Sequence, residues 1–226
     1  MMEATRLIAV RHGETAWNVD TRIQGQLDIG LNATGQWQAR RLGEALADEA
    51  IDAIYASDLS RAWETAEQIA RPLGLTVRPE SRLRERAFGR FEGMRFAEIE
   101  ATLPEQARLW RTRDPEFTPE GGESLLVFRD RITGVAAELA ARHPGELVVL
   151  VAHGGIMDVL YRAATHQALQ SPRTWDLGNA TINRLLWTPG GFGLVGWGDA
   201  AHLNSRPLDE KSIDCREVCA RRPSPA

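Results

Sequence analysis

Cysteine is scarce in this chain, with two in 226 residues. Both lie in a polar C-terminal stretch, as Cys215 and Cys219, which excludes a disulfide framework spread through the domain. With no second pair of ligands beside them they read as ordinary thiols rather than a zinc site. Long apolar runs are missing too, so no segment reaches membrane-spanning length. The start, MMEATRLIAV, has an acid and an arginine where a secretion signal needs a basic start and a longer apolar core. These absences predict a soluble protein of the reducing cytoplasm. A basic excess is also lacking: the net charge is −4, which removes the general electrostatic basis for binding nucleic acid or an anionic membrane. Any anion site must be built locally. There is no internal repeat and no linker. With 43% apolar residues, the length suits one large domain, assigned to residues 1–203, followed by a polar, loosely docked tail over 204–226. Nothing in the sequence separates a monomer from a homodimer.

The apolar residues that are present fall into short runs. LIAV (Leu7 to Val10), AIYA (Ala53 to Ala56) and LVVLVA (Leu147 to Ala152) are bounded by polar or turn residues, as strands buried on both faces are. Helical patterns separate them. In Thr34 to Glu49 the residues Ala39, Leu42 and Leu46 share a face, as do Ala62, Ala66, Ile69 and Ala70 in Leu59 to Arg71. From Ser124 to Arg142 a longer pattern aligns Leu125, Phe128, Ile132, Val135 and Leu139, with Ser124 as its cap. TINRLLWTPGGFGLVGW reads as a terminal hairpin turning at TPGG. Alternating β and α units predict an α/β protein, a three-layer α/β/α sandwich with a mostly parallel central sheet, in which ligands bind beyond the carboxyl ends of the strands.

At those ends the chemistry concentrates. Arg11, His12 and Gly13 follow LIAV, and His153, Gly154 and Gly155 follow LVVLVA, so both histidines leave the sheet at one edge. Arg61, just after AIYA, falls near a helix N-terminus, where peptide N–H groups and the helix dipole favour an anion. Glu85, in RLRERAFGRFEG, lies in a segment too polar and glycine-broken for core, and can supply a proton to the same crevice. Two histidines and a glutamate could instead bind zinc, but Arg11 beside His12 sets a fixed positive charge against a cation. No metal and no cofactor are expected.

RHGET (Arg11 to Thr15), SDLSRAWET around Arg61, LRERAFGRFEG around Glu85 and AHGG (Ala152 to Gly155) resemble, in order and together, the histidine phosphatase superfamily, also called phosphoglycerate mutase-like. The likeness spans about Leu7 to Leu203. It implies that His12 attacks phosphorus to form a phosphohistidine, that Arg11, Arg61 and His153 surround the phosphoryl oxygens, and that Glu85 is the proton donor. By the same resemblance Asn18 and the Gly154 N–H add donors, and Gln24 and Gly25, in IQGQLD, line the pocket. Gly13 and Gly154 are expected to let backbone approach the phosphate closely. His202 is expected to be structural.

The family holds both phosphatases and mutases. The short interval between Glu85 and His153, and an FG-x-x-EG pattern where cofactor-dependent mutases have an RHYG type of sequence, point to a phosphatase acting on a small phosphorylated metabolite. Phosphoglycerate mutase is the alternative, and a non-catalytic phosphate-binding protein a third reading. The segment AEIEATLPEQARLWRTRDPEFTP is expected to cover the pocket, with Leu109, Trp110 and Phe117 available to the substrate or to helix packing.

Overall fold

The structure, a computed structural model, describes residues 3–204. Apart from Asn204, the polar tail with Cys215 and Cys219 lies outside the described residues. The elements run β1 (Thr5–Arg11), α1 (Ala16–Val19), α2 (Ala33–Ala45), β2 (Ala53–Ala56), α3 (Ser60–Leu73), β3 (Val77–Pro79), α4 (Phe96–Thr102), α5 (Pro104–Arg111), α6 (Leu125–Ala141), β4 (Leu147–Ala152), α7 (Gly154–Thr165), β5 (Ile182–Thr188) and β6 (Gly191–Asp199). The sheet order is β3-β2-β4-β1-β5-β6. The first four strands in that order are parallel, and the hairpin β5–β6 continues the sheet antiparallel beyond β1.

The apolar runs occupy the middle because both faces there are covered. All six residues of β4 are buried. Alternation sends Val148, Leu150 and Ala152, with Leu7 and Ala9 of β1, to the core under α6 and α7. Val149 and Val151, with Ile8 and Val10, face α2 and α3. This is the expected three-layer sandwich. A third, smaller core of Phe91, Ile99 and Ala107 gathers α4 and α5 beside the carboxyl edge of the sheet.

Several boundaries differ from the sequence reading for identifiable reasons. The α2 helix stops at Ala45 rather than Glu49, where Ala47 N–H bonds Glu44 O at 3.3 Å and Glu49 N–H bonds Leu46 O at 3.1 Å in tight turns. Leu46 is fully buried even so, and its burial prolongs the apolar period past the helix. The α3 helix continues to Leu73 and closes on Gly74 at φ +66°. Strand β3 has one buried residue, Val77, too few to leave an apolar run. Helix α7 opens on two glycines, which disguise a helix start. Ser124 caps α6 as expected, accepting from Val127 N–H at 3.1 Å. His202 takes a structural place, with Nε2 3.0 Å from Ala180 O.

A Cβ on Gly13 would lie 2.5 Å from Gly35 O, so its missing side chain admits α2. Gly43 does the same between helices: a Cβ would lie 2.2 Å from Gln68 O of α3. Because that neighbour is backbone and cannot swing aside, Gly43→Ala is expected to destabilise the fold by about 1 to 3 kcal/mol despite alanine's better helix propensity. Denaturant unfolding should show a lower midpoint with an unchanged slope.

Candidate active site

The pairing of β1 with β4 sets Arg11 opposite Ala152. His12 N–H extends the ladder by one bond to Ala152 O at 2.9 Å. His12 and His153 therefore emerge side by side, with ring centroids 5.2 Å apart in an edge-on arrangement. Asn179 Nδ2 holds the His12 carbonyl at 2.9 Å, and Gly13 N–H donates to Thr65 Oγ1 at 3.1 Å.

The surroundings decide the tautomer of each ring. His12 Nδ1 lies 2.7 Å from Gly13 O, an oxygen that can only accept, so Nδ1 carries the proton and Nε2 keeps a lone pair. Burial, with Arg11 and Arg61 nearby, holds His12 well below the ordinary histidine pKa; it is neutral at physiological pH. His153 is fixed the opposite way. Arg61 Nε donates to its Nδ1 at 3.2 Å, so Nε2 bears the hydrogen and donates to Ser57 Oγ at 2.8 Å. Burial and Arg61 lower its pKa as well.

Arg61, only 1% exposed, is the second residue of α3. Its Nη1 donates to Leu27 O and its Nη2 to Gly25 O, both at 2.8 Å. Gly25 presents that carbonyl from a left-handed φ of +52°, where a Cβ would strike Glu92 Oε1 at 2.2 Å. Arg11 donates from Nη1 to Leu177 O, while its buried Nε has no partner among the described residues. Burial lowers the pKa of both guanidinium groups, which marks cations stripped of water and open to gain from an anion.

Glu85 reaches the same place from the loop before α4. Its Oε2 accepts from Gly155 N–H at 3.0 Å and its Oε1 from Arg86 N–H at 2.8 Å. A Cβ on Gly155 would sit 2.3 Å from Glu85 Oε1, so the second glycine of AHGG makes room for the carboxylate. The loop is braced by Arg131, which donates to Glu85 O at 3.3 Å and pairs with Glu123 at 2.7 Å.

A cavity of about 160 Å³ is lined by Arg11, His12, Asn18, Gln24, Gly25, Arg61, Glu85 and Gly154, eight of the nine residues named from the sequence. His153 stands behind this wall, against His12 and Arg61, rather than on it. The oxygens of Asn18 and Gln24 accept from Thr15, at 3.0 Å from its N–H and 3.0 Å from its Oγ1, so these side chains offer a ligand their amide N–H groups. Arg11, Glu85, Phe88 and Gly154 also border a second cavity of about 410 Å³. Sequence reasoning missed Ser57, Thr65, Asn179 and the Arg131–Glu123 brace. They hold the reactive groups from other elements, and no local pattern links them to the motifs. A zinc site does not fit, because both ring nitrogens of His153 and Nδ1 of His12 are already bonded. Among the described residues no three His, Cys, Asp or Glu side chains could hold a metal ion, and no helix is long and apolar enough to cross a membrane.

A sequence profile of the histidine phosphatase superfamily (branch 1) matches residues 7–200. The chain belongs to this superfamily. Two curated relatives of this histidine phosphatase are Phosphoglycerate mutase-like protein 4 of Arabidopsis thaliana and glucosyl-3-phosphoglycerate phosphatase of Mycobacterium tuberculosis. The first is 37% identical over 211 residues, 89% of this chain and 88% of the relative. The second is 38% identical over 208 residues, 87% of this chain and 93% of the relative. A solved mycobacterial glucosyl-3-phosphoglycerate phosphatase in complex with VO3 superposes with a TM-score of 0.76 at 36% identity, covering 86% of this chain and 99% of that one.

Two buried neutral histidines give this histidine phosphatase a pH signature. Below a pH of about 6.5 the unfolded chain takes up protons that the folded His12 and His153 refuse, so stability falls on acidification and is retained above that value. The limiting loss is about 1.4 kcal/mol per pH unit for each histidine. In denaturant unfolding at pH 7.5, 6.5 and 5.5, without phosphate, His12→Asn should show a shallower decline than the parent. An equal decline would mean that folded His12 accepts a proton.

Proposed function

We propose that this histidine phosphatase hydrolyses small phosphomonoesters in two displacements at phosphorus, with His12 as nucleophile. The observation that carries the proposal is the Nδ1 hydrogen bond of His12 to Gly13 O, which leaves a neutral ring with the Nε2 lone pair on the cavity wall. In the first step Nε2 bonds to phosphorus, the P–O ester bond breaks, and Glu85 gives its proton to the departing oxygen. In the second, water attacks the phosphohistidine, Glu85 takes a proton from it, and the N–P bond breaks to release phosphate. The unpartnered Nε of Arg11, the remaining N–H groups of Arg61, the amides of Asn18 and Gln24 and the Gly154 N–H are donors for the phosphoryl oxygens, whose charge grows in the transition state. His153 acts through others here: it fixes Arg61 and packs on His12.

The larger cavity takes the body of the substrate. Phe88 and Trp110, stacked with centroids 5.1 Å apart, form an apolar wall, and Phe117 packs on Phe91 behind it. Arg86, 5% exposed, spans two backbone carbonyls, Glu123 O at 2.9 Å and Phe117 O at 3.1 Å. Burial lowers its pKa to about 10. A cation so poorly solvated at the cavity wall, together with relatives named for phosphoglycerates, supports a phosphorylated hydroxy acid as substrate. The proposal places the enzyme in the cytoplasm, acting on a small metabolite. Each chain, whether monomer or half of a homodimer, holds a whole site.

The Arabidopsis relative's name favours a second reading, a phosphoglycerate mutase, in which the phosphohistidine returns its phosphoryl group to another hydroxyl. Assaying 3-phosphoglycerate for free phosphate and for the 2-isomer together separates the two. His12→Ala is expected to abolish both products and the acid-labile, base-stable phosphoryl label; substantial turnover in that variant would remove His12 from the nucleophile's role.

Glu85→Gln tests the proton donor. Alkyl phosphates have basic leaving oxygens and should lose about a hundredfold to ten-thousandfold in the phosphorylation step, whereas p-nitrophenyl phosphate needs little protonation and should lose far less. Rapid quench isolates that step. The same loss on both substrates would give Glu85 a positioning role instead.

A further inference from the structure

The larger cavity has an unbalanced wall. Arg11, Arg86, Arg113 and Arg173 border it, against Glu85 and Asp158. Arg113 is spoken for, since its Nη2 lies 2.6 Å from Asp158 Oδ2. Arg162 approaches the same oxygen at 3.1 Å, so two guanidinium groups outweigh the single charge of Asp158, whose Oδ1 has no hydrogen-bond partner among the described residues. Arg11 and Glu85 face the phosphoryl end. Arg86 is held by carbonyls. Arg173 makes no hydrogen bond or ion pair with any described residue. It is exposed on the segment between α7 and β5, and its field opposes that of Arg11. Two like charges facing one cavity are unfavourable until an anion lies between them.

We propose that Arg173 is a specificity-determining residue: it selects substrates by charge, engaging the carboxylate of a phosphorylated acid whose phosphoryl group lies against Arg11 and His12. This rests on the phosphatase reading above. A guanidinium fork matches a carboxylate with two parallel hydrogen bonds. Its place at the open rim makes the contact electrostatic, hence sensitive to salt. A phosphate ester with an uncharged body would fill the apolar wall of Phe88 and Trp110 equally well but leave Arg173 without a counter-charge.

The test uses the full chain and three esters that differ in one group: propyl phosphate, 3-phosphonooxypropanoate and 3-aminopropyl phosphate. The parent is expected to favour the carboxylate over propyl phosphate by about tenfold in kcat/KM, and about 0.5 M salt should narrow that gap. Arg173→Gln should cost the carboxylate ester about three- to tenfold, in KM rather than kcat. Propyl phosphate should shift much less. Arg173→Glu should reverse the order, favouring the ammonium ester over the carboxylate. Equal losses on all three esters, or a carboxylate preference that survives both variants, would overturn the proposal and leave the selection to Arg86. p-Nitrophenyl phosphate serves as the control: if no variant and not even the parent hydrolyses it, the phosphatase reading has failed. The order of dissociation constants for the three esters, by calorimetry, then still decides the role of Arg173.

Discussion

The site depends on one pairing, β1 alongside β4 in parallel with Arg11 opposite Ala152. Because parallel strands end at the same edge, the residue after each strand arrives at the same height. The ladder bond from His12 N–H to Ala152 O carries that alignment one residue beyond the strands. A slip of one residue would turn His12 toward the opposite face and bury a charged neighbour. The alternation of Leu7 and Ala9 against Ile8 and Val10 between two cores forbids the slip. The hydrophobic pattern and the catalytic geometry are thus one constraint.

On that frame, Arg61 links otherwise separate parts. It joins the loop carbonyls of Gly25 and Leu27 to the ring of His153, and its charge helps to keep both histidines neutral. Burying cations beside imidazoles is unfavourable in isolation. It makes sense as preorganisation, since the same desolvation that disfavours an imidazolium strengthens every interaction with an incoming phosphoryl group. Glycines serve this compactness by admitting neighbouring protein groups. Gly13 admits the backbone of α2, and Gly155 admits the carboxylate of Glu85.

The two adjoining cavities divide the work. In the proposed mechanism the smaller holds the groups for phosphoryl transfer, and the larger meets whatever the phosphate is attached to. Members of one superfamily can therefore share the first and differ in the second, which accords with relatives that bear phosphatase and mutase names on similar sequences. Here the second cavity combines an aromatic wall with surplus positive charge, the features on which the proposed substrate choice rests.

The sequence alone determined the layering and the family. Short apolar runs between amphipathic helices suffice for a three-layer sandwich, and RHGET, Arg61, Glu85 and AHGG carry their residue types in local motifs. Tertiary structure decided what depends on contacts across the chain. Neither tautomer can be read from a motif, because Gly13 O sets one while Arg61 and Ser57 set the other. The place of His153 behind the wall, the brace of Glu85 by Arg131 and Glu123, and the pairing that removes Asp158 from the cavity's charge balance all join residues far apart in sequence. Periodicity records which face of an element is buried; which polar groups meet across that burial is settled only when the elements pack.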